Sequence, residues 1–325
     1  MIISRTPLRV SFCGGGTDIA SFYKNDVEGG RVTSFSFARY VYVTVNKRFD
    51  DSVRVSYSKT EIVDDFEDLE HELVREAMRL TGVTSGVEIT TIAEIPSRGT
   101  GLGSSSAVTV GLLNALHHFA GSNPDSITLA EQACKIEIDI LGQPIGKQDQ
   151  YAAAFGGINH FQFKSDGIVI IEPLSVERSA ASDFVKNFTL LYTGITRSAN
   201  QILEEQIENT VDKSEMLVQI RDQASLAREL IEAGDVVKLA ELLNQAWEIK
   251  QTLASGITIP EINELYSEIL SSGSKGGKLL GAGGGGFILF QSDENIREEL
   301  SKRLPNNQQL NLDIDWEGSI ILHGN

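Results

Sequence analysis

Residues 98–116 read RGTGLGSSSAVTVGLLNAL and combine a glycine-rich turn, three serines and an apolar-periodic run. The preceding GVEITTIAEIP predicts a strand that Pro96 ends, and the apolar stripe through Val108 and Leu112 predicts a helix beginning near Ser104. A strand, a glycine-rich turn and a helix N-terminus together direct backbone N–H groups at an anion such as phosphate. An ordinary tight turn with serine caps is the alternative that this stretch alone leaves open.

Three well-known motifs with glycine-rich turns do not fit this stretch. A Walker A loop requires a lysine that is absent here, and the G-x-S-x-G pattern of a nucleophile elbow is absent too. GTGLGS comes near a dinucleotide-binding turn, but no acid follows about 20 residues later at the end of a second strand. Residues 281–286, GAGGGG, match G-x-G-x-x-G, yet the strand-like FILF follows them where a helix is needed. A dinucleotide oxidoreductase is therefore disfavoured.

The composition predicts a cytoplasmic globular protein. The 325 residues suggest about two domains, and 41% are hydrophobic, enough for a good core. No apolar run reaches the ~18 residues of a membrane span, and the opening MIISRTPLRV lacks the pattern of a signal peptide. Cys13 and Cys134 have neither disulfide nor metal spacing, which favours a reduced compartment.

The formal net charge of −17 argues against nucleic acid and membrane surfaces as partners. It does not argue against a phosphorylated small molecule, because salt screens the bulk field beyond about 8 Å. A phosphate site in this chain would have to be built locally, from backbone N–H groups and a few placed arginines or lysines.

The pattern of apolar residues mixes strands and helices in the first half and is mostly helical in the second. Residues 31–49 and 53–58 read as strands, and we expect them to pair across Asp50 and Asp51. A helix is predicted over 67–82, ending at Gly82, and another over 128–141 with a capping box at Thr128. Residues 198–272 are almost wholly helical, and the chain then returns to strand, helix and strand. A domain boundary is placed near residue 180.

Three acids stand in unexpected places. Glu137 falls on the apolar face of its predicted helix, where a carboxylate is costly unless it is paired or binds a metal. Asp149 follows a glycine- and proline-containing loop, and Asp18 follows CGGGT. The residues alone leave open a structural salt bridge for Glu137 and helix N-caps for the two aspartates.

Taken together, these pieces resemble the GHMP kinases, the family of galactokinase, homoserine kinase and mevalonate kinase. The resemblance covers nearly the whole chain through three ordered motifs: TPLRVSFCGGGTD near the N-terminus, GTGLGSSSA, and LLGAGGGGF near the C-terminus. It implies an α+β fold with two-layer α/β domains. The N-terminal domain (1–180) would resemble ribosomal protein S5 domain 2, and the C-terminal domain (181–325) would be ferredoxin-like. MgATP would bind between them.

The resemblance also implies a role for each motif residue. Magnesium would be held by Ser104 and Glu137, Asp149 would be the catalytic base, and Arg9 would assist it. Asp18 would bind a sugar hydroxyl. The remaining residues divide into an ATP phosphate loop, formed by Gly99, Gly101, Leu102, Gly103, Ser104, Ser105 and Ser106, and further acceptor-binding positions at Gly15, Gly16, Arg197, Gly283 and Gly284.

Within the family, the chain resembles the kinases of D-glycero-D-manno-heptose 7-phosphate in five stretches: RTPLRVSFCGGGTDIASFY, GLGSSSAVTVGLLNAL, GKQDQYAAAFGG, YTGITRSA and KLLGAGGGGF. The substrates would then be a sugar phosphate and ATP. Galactokinases carry Glu-His where this chain has Gly15-Gly16, and the loop before Asp149 is one residue longer than in mevalonate kinases. Fucose kinases, less readily mevalonate or homoserine kinases, and a non-catalytic sugar sensor stay open, as does a homodimer. The distal phosphate would need a cationic pocket, for which the candidates are Arg5, Arg39, Arg98, Lys147, Arg197 and Lys275.

Overall fold

The computed structural model describes residues 1–96, 99–196 and 199–324, and within them twelve strands form two sheets. The first sheet has eight strands in the order β12-β1-β2-β5-β3-β4, with β6 also paired to β2 and β7 to β6. These strands are β1 (Ile2–Cys13), β2 (Gly30–Lys47), β3 (Val53–Ser56), β4 (Thr60–Val63), β5 (Val87–Ala93), β6 (Ile158–Phe163), β7 (Val169–Pro173) and β12 (Ile320–His323).

Strand β2 organises this sheet. Its 18 residues are rich in β-branched and aromatic side chains, which favour a pleated, half-buried surface. It pairs along its length with β1, while its first part pairs with β6 and its second part with β5. The predicted strand over 31–49 is therefore confirmed.

The expected hairpin between β2 and the strand at residue 53 is wrong. Strand β3 instead pairs in parallel with β5 and antiparallel with β4, so that β5 lies between β2 and β3. Val53 and Val55 are fully buried in this arrangement. The turn at Asp50 reads like a hairpin locally, but pairing with the distant β5 decides the order of the strands.

Eleven α-helices are described. They are α1 (Ala20–Tyr23), α2 (Glu72–Thr81), α3 (Ser104–Phe119), α4 (Ser126–Cys134), α5 (Gln148–Phe155), α6 (Arg178–Val185), α7 (Ala199–Glu208), α8 (Ser214–Glu232), α9 (Val236–Lys250), α10 (Pro260–Ser271) and α11 (Glu294–Arg303). A 3-10 turn spans Phe66–Asp68, and a π-helical turn over Lys135–Ile140 continues α4. Helix α2 ends at Gly82 with φ +72°, as its sequence predicts.

Helix α3 packs directly on strands β1 and β2. A Cβ at Gly111 would lie 2.9 Å from Thr6 Oγ1 and 3.2 Å from a methyl of Val43, so a glycine at this position allows the helix to approach the sheet. The Ser4 hydroxyl donates to the Gly111 carbonyl over 2.8 Å and fixes the contact. Helix α3 is thereby held against β1 and β2.

The prediction that Thr128 is the N-cap of helix α4 is wrong. Helix α4 begins earlier, and its N-cap is Asp125, whose carboxylate accepts a hydrogen bond from the Thr128 N–H over 2.8 Å. An aspartate at this position satisfies one of the unpaired first-turn donors as well as a threonine would.

The second sheet has four antiparallel strands in the order β11-β8-β10-β9, formed by β8 (Phe188–Tyr192), β9 (Gly277–Leu279), β10 (Phe287–Gln291) and β11 (Gln309–Asn311). Helix α9 packs on β9, and α8 packs on the first sheet, where the Thr33 hydroxyl donates to the Ala224 carbonyl over 2.7 Å. Strand β12 returns to pair with β1. The change of sheet near residue 180 supports a division into 1–180 and 181–325, which stays a proposal.

Two further expectations concern the cysteines and the helices. Cys13 and Cys134 are free and buried. Among the residues placed by the structure, no helix combines the length and apolar character that a membrane crossing requires.

Candidate active site

A cleft of about 1060 Å³ opens between the two sheets, and the three predicted motifs meet there. Most of the predicted site residues line it: Arg9, Gly15, Gly16, Asp18, Gly99, Gly101, Leu102, Gly103, Ser104, Ser105, Ser106, Asp149 and Gly283. Glu137 lies behind the lining and contacts it, while Gly284 does not line the cleft. Arg197 and Arg98 lie outside the residues that the structure describes.

The phosphate loop (residues 99–106) enters α3 through two glycines with left-handed backbones, Gly101 at φ +75° and Gly103 at φ +72°. Gly103 is the N-cap of α3, and no side chain caps this end of the helix. The first intrahelical bond runs from the Ala107 N–H to the Gly103 carbonyl over 3.0 Å, so the N–H groups of the three serines before it have no acceptor within the helix. This arrangement favours an anion in the cleft.

The C-terminal glycine motif (residues 281–286) packs against the phosphate loop. A Cβ on Gly281 would lie 2.4 Å from the Cα of Gly101, and a Cβ on Gly101 would lie 2.6 Å from the Leu280 carbonyl oxygen. Only two bare backbones approach this closely. The turn between β9 and β10 therefore supports the loop from the side of the second sheet.

Asp149, in the first turn of α5, forms a bidentate ion pair with Arg9 of β1. Arg9 Nε lies 2.7 Å from Oδ1, and Nη2 lies 2.9 Å from Oδ2. The Arg9 side chain is 6% exposed and that of Asp149 is 22% exposed, so the carboxylate still faces the cleft. Arg9 Nη1 also donates to the Gly101 carbonyl of the phosphate loop. A carboxylate oriented in this way, beside an anion site, is suited to accept a proton.

Glu137 lies in the π-helical turn that follows α4 and is 0% exposed. Its oxygens accept hydrogen bonds from the Ser105 hydroxyl over 3.1 Å and from Gln150 Nε2 over 2.7 Å. Burial raises the pKa of Glu137 to about 7, although these hydrogen bonds oppose the effect. No lysine or arginine among the described residues forms an ion pair with it. The structure thus leaves a costly buried acid without a cation, next to the phosphate loop.

The Ser105 hydroxyl donates to Glu137 over 3.1 Å, and the Ser106 side chain also lowers the pKa of Glu137. The Ser104 hydroxyl lies instead 3.4 Å from that of Thr100. Within the described residues, no group of three or more histidine, cysteine or acidic side chains could form a metal site alone. One carboxylate with one hydroxyl fits Mg²⁺, which takes most of its remaining ligands from water and substrate phosphates.

Asp18 also lines the cleft and is 2% exposed. It accepts hydrogen bonds from the Gly16 N–H over 2.9 Å and from the Gln148 N–H over 3.1 Å. Burial raises its pKa, and the charge of Asp149 adds to the effect. A Cβ on Gly146 would lie 1.9 Å from Asp18 Oδ2, so the loop before α5 closes directly over this carboxylate.

Two polar atoms near Asp18 have unused hydrogen-bonding capacity. Ser11 Oγ and Gln148 Oε1 are buried, and neither has a partner within the described part of the chain. Both residues line the cleft. A ligand with several hydroxyl groups would satisfy them. Neither residue carries a signal in the sequence beyond proximity to a motif.

The four candidate cations for a distal phosphate that the structure describes do not line the cleft. Arg5 pairs with Glu317, Arg39 lies 3.9 Å from Glu94, and Lys147 Nζ donates to the Gly167 carbonyl. Lys275 is exposed and does not line the cleft.

Apart from Arg9, the lysines and arginines that line the cleft in the described structure are Lys250 and Lys278, which sequence reasoning missed.

Comparison with known families matches both halves of the chain. Residues 69–157 match the N-terminal domain of the GHMP kinases, and residues 227–306 match their C-terminal domain. The first match contains the phosphate loop, Glu137 and Asp149, and the second contains the C-terminal glycine motif.

Individual relatives point the same way. The chain is 31% identical to D-glycero-alpha-D-manno-heptose 7-phosphate kinase from Campylobacter jejuni, with 94% of each chain covered. It is 26% identical to L-fucokinase/L-fucose-1-P guanylyltransferase from Bacteroides fragilis, of which it spans only 36%. The crystal structure of a D-glycero-D-manno-heptose 1-phosphate kinase from Bacteroides thetaiotaomicron has the same fold, with a TM-score of 0.82, 24% identity and 99% of each chain covered.

Proposed function

This chain belongs to the GHMP kinase family and is an ATP-dependent sugar kinase, and we propose that its acceptor is D-glycero-D-manno-heptose 7-phosphate. The reaction would phosphorylate the anomeric C1 hydroxyl and yield the 1,7-bisphosphate. The observation that carries the proposal is the 31% identity, over 94% of both chains, to a heptose 7-phosphate kinase. The polar wall around Asp18, with unpartnered Ser11 and Gln148 atoms, supports a polyhydroxy acceptor.

In this proposal, the triphosphate of ATP binds at the N-terminus of α3, over the backbone of the phosphate loop. Mg²⁺ would be held by Glu137 together with a loop serine, and the contacts favour Ser105 over Ser104 for that role. When bound, the ion would neutralise charge on the phosphate oxygens. Glu137 then gains the cation that its burial demands.

The chain's own groups perform the proton transfer and the positioning. Asp18 and Gln148 orient the acceptor, and Asp149 accepts the proton of the C1 hydroxyl. The hydroxyl oxygen forms a bond to the γ-phosphorus, while the bond from that phosphorus to the β,γ-bridging oxygen breaks and ADP leaves. Arg9 holds Asp149 in place and offsets negative charge on the moving group.

The product of this step is a sugar 1-phosphate, the class of compound from which nucleotide-activated sugars are made. The proposal therefore places the protein in the supply of a nucleotide-activated heptose. We propose a cytoplasmic location, in keeping with two unpaired cysteines and consumption of ATP.

A coupled assay of ADP release tests the acceptor. The wild-type protein with MgATP is screened against heptose 7-phosphate, unphosphorylated heptose, other sugar phosphates, fucose and mevalonate. We expect the highest kcat/KM with heptose 7-phosphate. A higher value with fucose would favour the second candidate, a fucose 1-kinase, for which the 26% identical fucokinase is the supporting observation. ATP binding without turnover of any acceptor would favour a sugar sensor.

A further inference from the structure

Two lysines that the proposed transfer does not use face the cleft from the second sheet. Lys250 is the last residue of α9, and Lys278 is the central residue of β9. Lys278 is 6% exposed, and its Nζ donates to the Phe12 carbonyl over 2.6 Å. Lys250 is half-buried, and its Nζ donates to the Gly281 carbonyl. Each ammonium group has three donors, so both keep unused hydrogen-bonding capacity.

Neither lysine has an acidic partner at ion-pair distance in the described part of the chain. Burial lowers the pKa of Lys278 to about 8 and that of Lys250 well below its usual range. The positive charge of Lys278 lowers the pKa of Lys250 further, as does that of Arg9, while Asp18 opposes them. Two neighbouring cations without a counter-ion are unusual in a chain of net charge −17, and they call for an anion in the cleft.

The position of the lysines favours the acceptor over ATP. Lys278 is bonded to the end of β1, which leads directly into Gly15, Gly16 and Asp18. The charge of Asp18 also acts on Lys250. The metal-binding acid Glu137 instead contacts the serines at the start of α3 and Gln150 of α5. The lysines therefore lie within reach of the Asp18 side of the cleft, while the Gly281 carbonyl that Lys250 contacts also packs against Gly101 of the phosphate loop, so the kinetic test includes ATP.

We propose that Lys250, with Lys278 behind it, binds a phosphate group carried by the acceptor and so selects phosphorylated sugars. The inference rests on the proposed function, and it assigns to Lys250 the discrimination between a sugar phosphate and a free sugar. Lys250 is the more exposed of the two and would contact the phosphate. Lys278 adds positive charge, and its hydrogen bond to the Phe12 carbonyl holds β9 against the end of β1.

The test compares Lys250→Met with the wild type and with Lys302→Met, which removes an exposed lysine from α11. KM and kcat are measured for heptose 7-phosphate, for unphosphorylated heptose and for ATP. A hydrogen bond to a charged group contributes enough that we expect KM for heptose 7-phosphate to rise about 10-fold or more in Lys250→Met. KM for ATP and kcat/KM for unphosphorylated heptose should stay at the wild-type values. Lys250→Arg should restore much of the preference, because it keeps the charge.

Other outcomes would overturn the inference. A rise in KM for ATP alone would assign Lys250 to the triphosphate. An equal fall in kcat/KM for both heptoses would mean that Lys250 only holds the backbone at Gly281 in place. If Lys250→Met does not fold, as its melting temperature would reveal, Lys250→Gln provides the same comparison. A wild type that prefers another sugar phosphate, with the preference lost in Lys250→Met, would refute the proposed substrate and leave the inference standing. A wild type that uses only unphosphorylated sugars would refute both.

Discussion

Arg9 and Asp149 lie 140 positions apart in the chain, yet the guanidinium of Arg9 contacts both carboxylate oxygens of Asp149, at 2.7 and 2.9 Å. The third nitrogen of Arg9 donates to Gly101 in the phosphate loop. A single side chain from β1 therefore fixes the position of the proposed base relative to the proposed site of the triphosphate. Such positioning is the main means of catalysis in phosphoryl transfer.

Replacing Asp149 by asparagine removes the proton acceptor and keeps the shape. We expect kcat to fall roughly 10²- to 10⁴-fold, as is typical when a general base is lost. The dissociation constant for MgATP should change little, because Asp149 contacts Arg9 and not the serines of the loop. ADP release and calorimetric ATP titration measure the two effects, and Asp64→Asn, at an exposed acid, is the control. Turnover by Asp149→Asn near the wild-type rate would exclude Asp149 as the base.

Glu137→Gln separates a functional acid from a structural one. Burial raises the pKa of Glu137 to about 7, so above that pH the ionised group destabilises the metal-free fold. In EDTA at pH 8, we expect the free energy of unfolding of Glu137→Gln to exceed that of the wild type by up to about 3 kcal/mol. Denaturant titration measures the difference. Its activity should be lost at Mg²⁺ concentrations that saturate the wild type. A variant that is instead less stable and still active would indicate a structural role.

Ser104 and Ser105, at the start of α3, give a matched pair of variants. The Ser105 hydroxyl donates to Glu137, whereas the Ser104 hydroxyl lies nearest to Thr100. We expect Ser105→Ala to increase the Mg²⁺ concentration for half-maximal activity more than Ser104→Ala does. Titration of activity with Mg²⁺ at saturating ATP makes the comparison. The opposite order would restore Ser104 as the ligand that the family resemblance implies.

Gly146→Ala probes the contact that closes over Asp18. The added methyl would lie 1.9 Å from Asp18 Oδ2, so this carboxylate must move. We expect a higher KM for the acceptor with an unchanged KM for ATP. Gly142→Ala, in the same loop, has open space around its Cβ and carries only the strain of its φ of +63°. Equal effects of the two substitutions would mean that loop stiffness, and not the position of Asp18, determines acceptor binding.

Local signals in the sequence predicted much of this architecture. The β-branched and aromatic run of β2, the glycine that ends α2, and the start of α3 at Ser104 all depend on neighbours in the chain, and all are where the sequence predicts them. The pairing of β3 with β5 was not predicted, because it joins strands that are distant in the chain and no local pattern specifies it. The cap of α4 shifted to Asp125 because several polar residues there compete for one role.

The candidate site divides in the same way. Asp18, Glu137 and Asp149 stood out because an acid beside glycines or on an apolar face is unusual, whereas Arg9 was identified only through the family resemblance. Lys250 and Lys278 were missed since each looks like an ordinary lysine of an amphipathic helix or an edge strand. Only the fold of the second sheet against β1 brings them into the cleft.

The position of the transferred phosphoryl group is the most direct test of the central claim. The wild-type protein is incubated with MgATP and heptose 7-phosphate, and the product is examined by phosphorus NMR with coupling to the sugar protons. The account predicts two phosphorus signals from the sugar product in equal amount: the original one on C7 and a new one coupled to the anomeric proton on C1. One ADP should form for each molecule of bisphosphate. A new phosphate on any other carbon, or ADP formed without a phosphorylated sugar, would contradict it.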